Sequence, residues 1–128
     1  MQENESAMSA REVVTSFIES LNSRDLKSAR RYVSDDFSVK APGATFDSAE
    51  VYFKGVEEAT QKYNGRYEIK QVFADGNDVC LVSDTVSGNK QYKGYTALGM
   101  FHVEDQKILS ARFMYESQPP VSGKTNGR

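Results

Sequence analysis

Apolar side chains recur at three- and four-residue intervals near the start of the chain, which is the spacing of one face of a helix. Ser9 and Glu12 stand at the two ends of an S-x-x-E capping box, so this helix is expected to begin just after Ser9. The residues that share its apolar face are Ala10, Val13, Val14, Phe17, Ile18 and Leu21.

A second, shorter helix is predicted after Asp25, whose side chain can accept a hydrogen bond from the first helical turn. Its apolar face consists of Leu26, Ala29 and Val33. The run Ser34-Asp35-Asp36 is expected to end this helix. Apolar and polar residues then alternate over 37–41, which predicts a strand that stops at Pro42-Gly43.

Residues 48–63 can be interpreted in two ways. Ser48 can cap one long helix. Alternatively, 50–54 form a short strand, Gly55 interrupts the chain and 56–63 form a helix. We favour the second interpretation because Val51-Tyr52-Phe53 is β-prone and a glycine costs about 1 kcal/mol inside a helix.

Beyond Asn64-Gly65 the pattern is typical of β-structure. Apolar runs separated by turn-forming residues predict strands over 66–74, 79–86, 91–103 and 108–116. Because short turns join these strands in sequence, the sheet is expected to be mainly antiparallel.

In the middle of each of these strands, apolar residues occupy both odd and even positions, which point to opposite faces of the sheet. Both faces are therefore expected to be covered. The helices can cover one face. The other face is expected to be buried in a homodimer, because leaving it wet would expose a large apolar patch. The residues predicted at this contact are Leu81, Leu98, Met100 and Met114.

The composition is that of an ordinary single domain of 128 residues. The net charge is −2 and the basic residues are dispersed, so neither nucleic acid nor an anionic membrane surface is an expected partner. No apolar run approaches the roughly 20 residues of a membrane span. The acidic N-terminus is unlike a secretory signal, and a single cysteine precludes an internal disulfide, so a cytoplasmic location is expected.

The ends of the chain differ in composition from its middle. We expect a flexible leader over 1–8, one folded domain over 9–116 and a mobile tail over 117–128. With one histidine and one cysteine in the chain, no metal site of the usual zinc type is predicted, and no cofactor is predicted either.

Two N-terminal helices, SFIESLNSRDLKSARRYVSDDFSV, precede a G-x-E-E-A segment and long strands ending in FHVEDQKILSARFMYE. Over residues 9–116 this arrangement resembles the nuclear-transport-factor-2-like superfamily. That superfamily includes the SnoaL-like cyclases, ketosteroid isomerase, scytalone dehydratase and limonene epoxide hydrolase. The resemblance implies an α+β fold, in which a strongly curved, mainly antiparallel sheet and three helices of the N-terminal half close a cone-shaped pocket.

The resemblance to ketosteroid isomerase implies three catalytic positions in this chain, and none of them carries a reactive group here. Phe17 stands where the resemblance places a phenol donor, and Ala41, just before Pro42, stands where it places the general base. Gly99 stands where it places a protonated carboxyl donor. Steroid isomerisation by that mechanism is therefore not expected.

If Ala41 and Gly99 face inward, strand alternation predicts the rest of the pocket wall. The predicted ligand-binding residues are Phe17, Tyr32, Val39, Ala41, Val82, Tyr95, Gly99, Phe101, Phe113 and Tyr115. Asp84 is the one carboxylate that this register turns inward, so it is the predicted catalytic acid or base, and burial should raise its pKa. His102 has the opposite parity and is expected on the outer face.

Three kinds of function fit this description. The protein could be a cofactor-independent isomerase, cyclase, dehydratase or hydrolase that acts on a small apolar molecule through Asp84. It could bind a small hydrophobic ligand in the same pocket without catalysis. It could also be a dimerisation module with a vestigial pocket. The sequence alone leaves open whether the chain is an enzyme.

Overall fold

A computed structural model describes residues 8–88 and 94–115 of the chain, and its first helix, α1, spans Ala10–Asn22. The predicted capping box is confirmed: the Ser9 hydroxyl accepts a hydrogen bond from the Glu12 N–H, and the Ser9 N–H donates to the Glu12 carboxylate at 2.9 Å. The predicted apolar face is also confirmed. Its buried residues are Val13, Val14, Phe17, Ile18 and Leu21.

Helix α2 spans Leu26–Arg30 and is capped by Asp25, as predicted. It is shorter than expected, because Val33 belongs to the first strand, β1, which spans Val33–Ala41. The prediction that 34–36 end the helix was therefore wrong. Val33 pairs with Ile108 of the last strand, and the Ile108 N–H donates to the Tyr32 carbonyl at 2.7 Å. This long-range pairing extends the strand toward the helix, which local propensity does not reveal.

Helix α3 is one continuous helix, Ala49–Tyr63, capped by Ser48, so the predicted strand and break at Gly55 were wrong. A short strand, β2, spans Ala44–Phe46 just before it. A Cβ atom at position 55 would lie 3.0 Å from the Phe46 ring. Gly55 is therefore the point where the ring of β2 packs closely against the helix.

The sheet contains six strands in the order β2-β1-β6-β5-β4-β3. The remaining strands are β3 (Arg66–Asp75), β4 (Asp78–Val86), β5 (Tyr95–Glu104) and β6 (Lys107–Tyr115). All neighbours are antiparallel except β1 and β6, which are parallel, so the predicted mainly antiparallel sheet is confirmed. Register shifts interrupt three of these pairings, and such bulges bend and twist a sheet.

The helices cover one face of the sheet, which we call the inner face. Helix α1 contacts β3, β4, β5 and β6, whereas α3 contacts β1 and β2. The core between them contains the fully buried side chains of Phe17, Phe37, Phe101, Leu81 and Ile108. The helices thus rest on opposite parts of a curved sheet, which leaves space between them.

The expected leader, apart from Met8, and the expected tail lie outside the described residues, as does most of the connection from β4 to β5. Among the helices that the structure describes, none combines the length and the apolar character needed to cross a membrane.

Candidate functional site

A cavity of about 400 Å³ lies between the inner face of the sheet and helices α1 and α3. This volume is within the range of small-molecule sites. Its apolar lining consists of Ile18, Leu21, Val39, Ala41, Phe46, Gly55, Val56, Ala59, Gly65, Leu81, Ala97, Gly99 and Phe113. Its other lining residues all carry a hydroxyl group. They are Tyr52, Thr60, Tyr63, Tyr67, Ser83, Thr85, Ser87, Tyr95 and Tyr115.

The structure brings six of the predicted pocket residues together in this lining. They are Val39, Ala41, Tyr95, Gly99, Phe113 and Tyr115. They come from three strands, β1, β5 and β6, which lie side by side in the sheet. Their position is what strand alternation requires, and their part in ligand binding stays a prediction.

Three other predicted residues do not line the cavity. Phe17 is fully buried among the rings of Phe37, Tyr52 and Phe53, with centroids 6.0 to 6.4 Å from its own. Phe101 packs edge to face on Phe113 at 5.6 Å and is 2 % exposed. These rings stand behind the cavity wall and support it.

Tyr32, the third, follows helix α2 and packs against the hydrophobic core. Its carbonyl is occupied by the β6 backbone. It holds the start of β1 against β6 and is not part of the lining.

The inward orientation predicted for Val82 and Asp84 was wrong, and so was the outward orientation of Leu81. Gly99 pairs with Leu81 across β4 and β5, so Leu81 lies on the inner face, lines the cavity and is 2 % exposed. Val82 pairs with Leu98 on the outer face. A register error of one residue turns every side chain of a strand to the opposite face, and the pairing across a hairpin is set by its connection.

Asp84 consequently lies on the outer face. Its carboxylate accepts a hydrogen bond of 2.7 Å from the Thr96 hydroxyl and lies 3.7 Å from the Lys70 ammonium. Its side chain is 38 % exposed. Both partners are on neighbouring strands of the same face, so the geometry gives Asp84 a surface role and does not support the predicted catalytic one.

Five phenols line the described cavity: Tyr52 and Tyr63 of α3, Tyr67 of β3, Tyr95 of β5 and Tyr115 of β6. Burial, followed by the neighbouring phenols Tyr67 and Tyr115, raises the pKa of Tyr52 well above its ordinary value. Burial, with the phenols Tyr95 and Tyr115 nearby, raises the pKa of Tyr67 to about 12. The hydroxyls of Tyr52 and Tyr67 therefore stay protonated near neutral pH and can donate hydrogen bonds.

Tyr95 and Tyr115 form a pair within this cluster. Their rings meet edge to face with centroids 4.9 Å apart. Burial raises the pKa of Tyr115, and the adjacent Tyr95 raises it further both through its charge and through a hydrogen bond between the two side chains.

Thr85 links this group of side chains across the sheet. It pairs with Tyr67 on β3 and with Tyr95 on β5, so the three residues form one row on the inner face. Its hydroxyl oxygen is buried and has no hydrogen-bond partner in the described part of the chain. Buried hydroxyls normally have a partner, which makes this row the polar end of the cavity with unmet hydrogen-bonding capacity.

Sequence reasoning missed Tyr52 and Tyr67. The sequence predicts a strand at Tyr52, whereas in the structure Tyr52 lies on the face of helix α3 that also carries Val56. The signal for Tyr67 is that Tyr67 and Ile69 alternate in sequence with charged residues at 66, 68 and 70, and the structure makes both of them half-buried. A bulge between Ile69 and Gln71 then shifts this alternation.

The model of the SnoaL-like domain family matches residues 14–111. The fold is similar to that of an NTF2-like protein of unknown function from Cytophaga hutchinsonii, with 26% identity, 91% of this chain and 95% of that chain covered, and a TM-score of 0.76. An LEH-like epoxide hydrolase from M. tuberculosis is 17% identical, with 84% of this chain and 82% of that chain covered and a TM-score of 0.75. A de novo designed protein with a curved β-sheet is 23% identical, with 91% and 88% covered and a TM-score of 0.70. A search of curated proteins finds no match.

Proposed function

The chain belongs to the SnoaL-like domain family, and from this we propose that its cavity binds one small, uncharged and mainly apolar molecule. The observation that carries the proposal is the composition of the lining. Each described lining residue is either apolar or carries a neutral hydroxyl group. Such a surface favours an apolar body that displaces poorly held water and offers a few positions for hydrogen bonds.

The three positions that correspond to catalytic groups in ketosteroid isomerase support binding rather than that reaction. Phe17 is buried behind the wall, and Ala41 and Gly99 present no polar side-chain atom to the cavity. Asp84, the acid or base expected from the sequence, is bonded to Thr96 on the opposite face of the sheet. The chemistry that the described lining can supply is hydrogen bonding by the neutral hydroxyl groups of Tyr, Thr and Ser side chains.

The neutral fluorophore N-phenyl-1-naphthylamine tests the proposal. Its emission should rise on binding to the wild-type protein. Ala97→Leu should fill part of the cavity, because Ala97 is on the inner face of β5 and lines it. We expect this variant to weaken binding at least about tenfold, which corresponds to about 1.4 kcal/mol.

Ala44→Leu is the matched control, because Ala44 is exposed on β2 and does not line the cavity. It should bind the probe like the wild type. Circular dichroism and thermal unfolding of both variants check that they are folded. Equal affinity of a folded Ala97→Leu variant and the wild type would contradict the proposal.

A further inference from the structure

We propose that the molecule bound in this cavity carries a neutral acceptor oxygen, of the carbonyl or ether type, and that Tyr52 and Tyr67 donate hydrogen bonds to it. This inference rests on the proposed function, because it concerns the same cavity. It adds the chemical class of the ligand and its orientation.

The first argument is the unmet hydrogen bonding of two phenols. Tyr52 is 8 % exposed and lines the cavity, and its hydroxyl has no hydrogen-bond partner within 8–88 and 94–115. The Tyr67 hydroxyl has none in the same ranges. Neither phenol oxygen is among the fully buried, unpartnered side-chain atoms, so each is open to the cavity, where a water molecule or a ligand can accept its hydrogen bond.

The second argument is convergence. Tyr52 of α3, Tyr67 of β3, Tyr95 of β5 and Tyr115 of β6 all line the same cavity. The row Tyr67–Thr85–Tyr95 and the edge-to-face contact between Tyr95 and Tyr115 bring three of these side chains to one part of its wall. Several donors aimed at one region fit an acceptor atom of the ligand, since an oxygen with two lone pairs can accept two of them.

The third argument is a second pair of phenols in the same lining. The rings of Tyr95 and Tyr115 meet edge to face with centroids 4.9 Å apart, and both side chains line the cavity. Their hydroxyl groups add polar atoms close to Tyr67, which faces Tyr95 across Thr85 in the sheet.

The fourth argument is charge. The described lining includes no Lys, Arg or His side chain that could neutralise a carboxylate. Moving an ionised carboxylate out of water without a cation is strongly unfavourable. The lining should therefore prefer a ketone, ester or ether to the acid of the same shape.

Three naphthalenes of matched shape test the inference: 2-acetylnaphthalene, the hydrocarbon 2-isopropenylnaphthalene and 2-naphthoate, with 2-methoxynaphthalene as the ether. We expect the ketone to bind at least about tenfold more tightly than either the hydrocarbon or the carboxylate. The ether is expected between the ketone and the hydrocarbon, because its oxygen is a weaker acceptor. Tyr67→Phe and Tyr52→Phe should remove most of the advantage of the ketone over the hydrocarbon.

The control variant is Tyr32→Phe, which removes a phenol that the structure places outside the lining. It should leave the ratio between ketone and hydrocarbon unchanged. A direct measurement uses 2-acetylnaphthalene labelled with ¹³C at the carbonyl. Its resonance should move downfield on binding to the wild type, and by less in Tyr67→Phe.

Two outcomes would overturn the inference. The first is equal binding of ketone and hydrocarbon, with both weakened by Ala97→Leu. In that case the cavity still binds apolar molecules and the proposed function stands. The second is tighter binding of the carboxylate than of the ketone. Absence of binding of any of these compounds and of the neutral fluorophore would instead count against the proposed function itself.

Discussion

The ring of Phe101 lies so close to Gly99 that a Cβ atom at position 99 would be 2.8 Å from it. The ring of Phe113, the cross-strand partner of Gly99, would be 2.9 Å away on the same inner face. The two rings meet edge to face at this glycine. Two aromatic rings thus occupy the space that a side chain at position 99 would need: Phe113 lines the cavity, and Phe101 supports the wall from behind.

Gly99→Ala should therefore destabilise the protein. A methyl group forces apart two packed rings, and overpacking of this kind costs about 1 to 3 kcal/mol. Urea unfolding followed by circular dichroism measures the loss. Combining Gly99→Ala with Phe113→Leu should recover part of the stability, because the smaller side chain yields space. An unchanged free energy of unfolding in Gly99→Ala would show that the rings move aside freely.

Asp84→Asn should leave ligand binding unchanged. Its carboxylate is on the outer face, half-exposed and bonded to Thr96, so the cavity does not sense its charge directly. The change in unfolding free energy should be within about 1 kcal/mol, as for surface polar groups. The measurement is the affinity for N-phenyl-1-naphthylamine, compared among the wild type, Asp84→Asn and Ala97→Leu. If Asp84→Asn impaired binding as strongly as Ala97→Leu, the register of β4 in the functional protein would differ from the one described, which places Asp84 on the outer face.

The imidazole of His102 should titrate above its ordinary pKa of 6.5. Its ring nitrogens lie 2.8 Å from the carboxylates of Asp78 and Glu104, and these hydrogen bonds, that of Asp78 first, raise its pKa. Because the folded pKa is the higher one, the stabilisation is present below pH 6.5 and is lost as the pH rises through the folded value. The advantage of the wild type over His102→Gln should accordingly shrink above neutral pH.

Proton NMR can follow this titration without ambiguity, since the chain has one histidine. Asp78→Asn should lower the midpoint, because it removes the larger cause of the raised pKa. Glu57→Gln on the exposed side of α3 is the control and should leave the midpoint in place. A midpoint at or below 6.5 in the wild type would contradict the contacts described for His102.

We propose that two copies of the chain associate through the outer face of the sheet, in a contact centred on Leu98, Met100 and Met114. Met100 and Met114 are 49 % and 42 % exposed, and Phe73 nearby is 55 % exposed. Leu81, included in the contact by the sequence prediction, is excluded from it because it lies on the inner face. Burying apolar surface of this kind against a partner is favourable in free energy, because the surface is removed from water.

Met100→Glu should weaken such a dimer at least about tenfold in dissociation constant, or about 1.4 kcal/mol. Sedimentation velocity at micromolar concentration measures it. Thr45→Glu adds the same charge at an exposed position of β2 and should leave association unchanged. A wild-type protein that sediments as a monomer at these concentrations would disprove the proposed contact.

The elements that sequence reasoning predicted well depend on local interactions. The S-x-x-E box at Ser9 and the apolar face of α1 act within a few residues, so their pattern is visible in the chain. The inner faces of β5 and β6 also follow from simple alternation, which places Tyr95, Gly99 and Tyr115 together. The approximate positions of β3 to β6 follow from turn-forming residues between apolar runs.

The features that reasoning from sequence misplaced depend on contacts between distant residues. Gly55 does not interrupt α3, because Phe46 of another element fills the space beside it. The faces of β4 were exchanged because the pairing of Leu81 with Gly99 is a property of the folded hairpin, and a slip of one residue inverts every side chain.

The sequence by itself determined the order and type of most elements, the capped first helix and the apolar character of the pocket, because these depend on local periodicity and composition. Tertiary structure alone decided that Asp84 faces outward and that Tyr52 and Tyr67 face the same cavity as Tyr95. The physical reason is that orientation depends on the register between strands and on the curvature of the sheet. Both are set by packing between residues far apart in the chain, whose pairing no local pattern specifies.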